Sequence, residues 1–97
     1  MNARIKAAFP GHEVRTVGEI GRRASSDEEL LRFAAHSFDA FVTIDRRLPR
    51  ENQIRGLALG VILIRVPNST LAAYRPLFAK LARAVEIVRP GQVLEVG

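Results

Sequence analysis

Apolar and polar positions alternate along this chain in two periods, one of strands and one of helices. Ala40-Phe41-Val42-Thr43-Ile44 carries no charge, is mostly β-branched or aromatic, and ends at Asp45. Such a run reads as a strand buried on both faces. Leu57–Val66 reads as a second buried strand, with Gly60 near its start allowing close packing. Pro67 ends it, and Asn68-Ser69 are placed to cap the next helix. In that helix Leu71, Tyr74, Leu77, Phe78, Leu81 and Val85 recur at helical spacing. Pro76 falls inside the pattern, so a kink or a break into two short helices is expected. Pro90-Gly91 is a turn, and Val93, Leu94 and Val96 close the chain as a last strand.

The first third of the chain extends the alternation. Residues 2–9 read as a short helix with Ile5, Ala8 and Phe9 on its apolar side, stopped by Pro10-Gly11. His12–Val17 reads as a strand, with Val14 and Thr16 on one face. Gly18–Ala24 is a loop. Ser26-Asp27-Glu28-Glu29 opens a helix that runs to about His36, and Ser26 with Glu29 forms a capping box. Leu30, Leu31, Ala34 and Ala35 are its apolar side. Between the two buried strands, Leu48–Arg55 holds a helical turn with Pro49 at its first position. Helix, strand, helix, strand, strand, helix, strand argues for an α/β fold with a mainly parallel sheet.

Composition narrows the chemistry. Residues 1–97 fit a single domain, and no run approaches the ~20 apolar residues of a membrane-spanning helix. The absence of cysteine removes disulfides, thiolate zinc sites and thiol nucleophiles, and fits a reducing, cytoplasmic compartment. The net charge is +5, and Lys6 and Lys80 are the only lysines, so the basic excess is arginine. Arginine presents a planar fork that matches phosphate, which makes RNA or an acidic protein a plausible partner. Most arginines are scattered, but Arg46, Arg47 and Arg50 form a cluster directly after Asp45. Ligands of open α/β sheets bind outside the carboxyl ends of the strands. Asp45 therefore stands either at a site of chemistry or simply in the turn that ends its strand.

Four segments carry a family resemblance. Gly11-His12-Glu13-Val14, Ser26–Leu31, Phe41-Val42-Thr43-Ile44-Asp45-Arg46 and Gly60–Asn68 succeed one another in order and at compatible spacing. With the Leu-rich helix and terminal strand behind them, they resemble the small PIN-like, VapC-like family of toxin nucleases, from about Ile5 to the C-terminus. The resemblance implies a PIN-like three-layer sandwich, metal-dependent endoribonuclease activity of the toxin–antitoxin type, and a cognate antitoxin protein. It implies Mg2+ or Mn2+ held by Asp45 and Asp27, with Glu28 as a weaker third ligand. Asp45 and Asp27 would be the catalytic pair, and Arg46, Arg47 and Arg50 would bind RNA. Such cations take hard oxygen ligands, activate water and polarise the scissile phosphate. The family pattern opens with an apolar strand ending in an acidic residue, whereas this sequence begins with Met1-Asn2-Ala3-Arg4. The departure implies either an upstream in-frame run ending in Asp, or a member with reduced or no nuclease activity that binds RNA or an antitoxin. An unpaired sheet edge left by the missing strand would favour a homodimer.

Overall fold

The computed structural model describes residues 3–97. Its centre is a three-stranded parallel sheet in the order β1 (Ala40–Thr43), β2 (Gly60–Ile64), β3 (Val93–Val96). The register runs from Ala40 opposite Gly60 to Thr43 opposite Leu63, and from Val61 opposite Val93 to Ile64 opposite Val96. Parallel neighbours need a crossover, and each connection here supplies helix. The helix α1 (Asp27–Ser37) leads into β1; α2 (Arg47–Glu51) joins β1 to β2. The helices α3 (Leu71–Tyr74) and α4 (Phe78–Ile87) join β2 to β3 and flank a 3-10 turn, Arg75–Leu77. Pro76 therefore breaks this segment into two helices, as its missing N–H and ring demand.

All five residues of β2 are buried. Their side chains alternate between two apolar clusters. Ile62 and Ile64 meet Tyr74, Leu81, Ala84 and Val96, together with Ile5, Ala8 and Phe9 from the N-terminal segment. Val61 faces Leu31 and Ala34 of α1, Leu48 of α2, Ile54 and Leu59. The sheet is thus covered by helices on both sides. The N-terminal segment is a 3-10 helix, Ala3–Ala8, that seals the first cluster; residue 2, which opened the expected helix, lies outside the described residues. Among the described residues no helix is long and apolar enough to cross a membrane.

Local signals hold at the start of α1. The Glu29 N–H donates to the Ser26 hydroxyl oxygen at 3.2 Å, and that hydroxyl donates to the Glu29 carboxylate at 2.9 Å. The box therefore closes side chain to side chain. Three acidic residues in the first turn complement the helix dipole.

Four expectations are corrected. The strand expected over His12–Val17 does not form: residues 13–16 belong to no ladder, and turns begin at Val17. Thr16 and Glu19 divert the chain locally. The Glu19 N–H donates to the Thr16 hydroxyl at 3.1 Å while the Thr16 N–H donates to the Glu19 carboxylate at 2.8 Å. That is the S/T-x-x-E box again, and it starts a turn where a strand would have continued. Second, β1 is half-buried except at Thr43, not buried on both faces, because it is the edge of the sheet. Third, the cap of α3 is Thr70, whose hydroxyl accepts from the Ala73 N–H at 3.2 Å and donates to Asn68 at 2.6 Å. Asn68 orients the cap without being it. Fourth, α2 starts at Arg47, so Pro49 is its third residue, where a missing N–H still costs no intrahelical bond.

Candidate functional site

The carboxyl end of β1 is built by two short-range devices. The buried Thr43 hydroxyl accepts from the Asp45 N–H at 3.0 Å, which turns the chain out of the ladder. The Asp45 carboxylate then accepts from the Arg47 N–H at 2.9 Å, an Asx-type turn that launches α2. The same carboxylate lies 3.5 Å from the Arg47 Nε, and 43% of the Asp45 side chain stays exposed. Turn and charge roles therefore coexist at Asp45.

Arg46 and Arg50 flank this pair. Both are exposed, and neither has an ion-pair partner among the described residues. Arg47 is 76% exposed and shares its charge with Asp45. Arg46, Arg47 and Arg50 thus fall within the five residues after Asp45, and Arg47 is paired with it. An anion reaching the turn after β1 would meet two uncommitted guanidinium forks, those of Arg46 and Arg50.

The topology directs the start of α1, with Asp27, toward the same end of the sheet. Phe38-Asp39 joins α1 to β1 with no room for a loop, so the helix runs back along the strands. Eleven helical residues span ~16 Å and four strand residues ~13 Å, lengths that let the start of α1 reach back toward the carboxyl end of β1. Asp27 is exposed there and has no hydrogen-bond or ion-pair partner among the described residues. Glu28 is otherwise engaged: it pairs with Arg32 at 3.0 Å, one turn along the helix. Glu29 is held by Ser26.

As a donor set for Mg2+ or Mn2+, these residues do not fit a protein-built centre. No group of three or more His, Asp or Glu side chains converges among the described residues. Asp45 already accepts two contacts from Arg47, and Glu28 faces Arg32.

A groove of about 450 Å³ lies between α1 and the connection from α2 to β2, lined by Glu28, Arg32, Glu51, Gln53, Arg55 and Leu57. Its charges alternate in sign, so it offers no single-sign field to an anion. On the far side of α1, the Arg22 guanidinium stacks over Phe33 at 4.2 Å. That contact ties the loop before α1 to the helix, and periodicity does not reveal it.

No family model matches the chain, and no significant match is found among curated proteins or solved structures.

Proposed function

We propose that the protein is a PIN-like module that binds the phosphate backbone of RNA at the carboxyl edge of its sheet. The observation that carries this reading is the cluster Arg46, Arg47 and Arg50 on the turn after β1, with Arg46 and Arg50 unpaired and exposed. Guanidinium forks placed outside the strand ends suit phosphate, and backbone contacts need no base specificity. The scarcity of exposed aromatics favours this mode over base stacking. In the toxin–antitoxin setting that the resemblance implies, an antitoxin would compete for the same basic edge through acidic residues.

A second reading keeps catalysis. Its support is that the chain direction of α1 points Asp27 toward the end of the sheet where Asp45 stands, and that Mg2+ is often bound by only one or two carboxylates, with water and substrate phosphate completing its shell. In that reading Asp45 and Asp27 would be the ribonuclease's own ligands, with Glu28 leaving Arg32 to join them, and RNA would supply the rest.

One experiment addresses both. Affinity for a labelled single-stranded RNA is measured against salt for the wild type and for Arg46→Ala/Arg50→Ala. Each phosphate contact contributes about 0.7 to the log–log salt slope on single strands, so the double variant should lower the slope by about 1.4. Affinity should fall to a similar degree on unrelated sequences. Salt-independent binding, or a slope unaltered in the variant, would remove the reading. The same samples with Mg2+ or Mn2+ are assayed for cleavage against Asp45→Asn. Cleavage that vanishes in Asp45→Asn supports the catalytic reading; cleavage that persists rejects Asp45 as its centre.

A further inference from the structure

The three strands end side by side, and the charges at their ends differ. Thr43 is opposite Leu63 and Ile64 is opposite Val96, so β1, β2 and β3 share one carboxyl edge. After β1 come Arg46, Arg47 and Arg50; directly after the central strand β2 comes Arg65. Neighbouring strands lie about 4.8 Å apart, so Arg65 follows an end one strand spacing from the end that leads to Arg46. The strand β3 carries Glu95 instead, one residue before its end. Basic residues therefore continue along the edge from β1 to β2, and an acidic one stands at β3. Ligands of open α/β sheets bind outside such strand ends.

The backbone of Arg65 is fixed by the sheet. Its N–H donates to the Val96 carbonyl at 2.7 Å, which carries the ladder one residue past Ile64. Leu63 is opposite Glu95, and Arg65 is two residues on, so Arg65 and Glu95 leave the sheet on the same face. There the Arg65 Nη1 lies 3.7 Å from the Glu95 carboxylate, with 47% of the arginine side chain and 55% of the glutamate exposed. That separation is too long for a hydrogen bond. The Arg65 guanidinium makes no hydrogen bond among the described residues, so charge alone ties it to Glu95. Ion pairs this exposed hold weakly. A phosphate can take two prongs of the fork at once, which this carboxylate at this distance does not.

We infer that Arg65 is a further phosphate contact: a single RNA strand crosses the ends of β1 and β2, and Glu95 restrains Arg65 until a phosphate replaces it. The inference rests on the RNA-binding reading. It adds a residue from outside the cluster after β1, a direction for the RNA across the strands, and a carboxylate that sets the affinity by competing for the same guanidinium. Glu95 also bounds the path, because a backbone continuing to β3 would meet a negative charge.

The test is the salt titration on labelled single-stranded RNA, with Arg65→Ala, Glu95→Gln and the two combined, beside Arg46→Ala/Arg50→Ala. Arg65→Ala should lower the log–log slope by about 0.7, the share of one phosphate contact on a single strand. Glu95→Gln frees the guanidinium and should tighten binding about twofold to fivefold, the size set by an exposed ion pair. In the Arg65→Ala background the same change should tighten nothing, whereas a plain loss of negative charge would tighten both backgrounds alike. Both positions are exposed, so circular dichroism should show an unaltered fold. A slope that falls in Arg46→Ala/Arg50→Ala but not in Arg65→Ala overturns the inference and leaves the RNA-binding reading standing. Equal tightening by Glu95→Gln in both backgrounds, or none in either, overturns it too. Slopes unaltered in every arginine variant remove the RNA-binding reading, and the inference with it.

Discussion

The Asp45 carboxylate holds the backbone N–H of Arg47 at 2.9 Å while lying 3.5 Å from the same residue's Nε. One side chain thus starts the next helix and offsets one of three clustered arginines. These roles separate by substitution. Asp45→Asn keeps an oxygen that can accept from Arg47 and should alter stability little. Asp45→Ala loses the turn bond and should cost about 1 kcal/mol, the usual size of such a local cap. Urea denaturation of both variants checks the difference. An equal loss in both would assign the stability to the charge.

Gly60 stands where the start of β2 meets the end of α4. A Cβ at this position would lie 2.7 and 2.9 Å from the two methyl carbons of Val88 and 3.1 Å from the Arg89 carbonyl oxygen. Gly60→Ala should therefore destabilise by about 1–3 kcal/mol, the range for overpacking a tight site. Trimming the obstacle in Gly60→Ala/Val88→Ala should return part of that loss. Additive losses in the double variant would show that crowding against Val88 is not the cause.

Tyr74 is fully buried, and its hydroxyl has no hydrogen-bond partner among the described residues. A buried hydroxyl without a partner carries its desolvation penalty uncompensated. Tyr74→Phe keeps the ring in the cluster formed with Ile62, Ile64 and Leu81. Stability should be unchanged or higher by about 1 kcal/mol. A loss of that size in thermal or chemical unfolding would reveal a partner for the hydroxyl.

Glu19 links the loop to the N-terminal helix. The Lys6 ammonium, 2.6 Å away, and then the Thr16 N–H hold the Glu19 carboxyl down at about 2, against an ordinary 4.5. A carboxyl whose folded pKa is lowered stabilises the fold above its unfolded value. The contribution is full above about 4.5 and is lost as pH falls towards about 2. Glu19→Gln should lower the thermal midpoint at neutral pH and converge with the wild type at the acid end of this window. A constant offset across the range would mean that the carboxylate's charge is not what matters.

Much of the architecture was legible because its signals are local. The Ser26–Glu29 box, Pro76 between two short helices, the uninterrupted apolar run of β2 and the Leu81 stripe each act within a few residues. The strand expected over His12–Val17 failed on the same ground. The Thr16-x-x-Glu19 box was in the sequence, and it outweighs the alternation of Val14 and Thr16 because no neighbouring strand rewards extension there. Of the candidate site, the basic cluster and the turn at Asp45 were visible, the latter as one of two readings, and the Asp45–Arg47 bond bears it out. The Glu28–Arg32 pair was not, because it depends on where two long side chains come to rest.

The sequence by itself determined an α/β chain with two apolar strands, of which β2 is wholly buried, a capped acidic helix start and an arginine cluster behind Asp45. Those features come from periodicity, propensity and charge, which act over a turn or two. Only the tertiary structure decided that Ala40–Thr43 is an edge strand, and that no group of three or more His, Asp or Glu side chains converges among the described residues. Strand neighbours and converging side chains are set by contacts between distant segments. Any spacing along the chain is compatible with several such pairings until the core selects one.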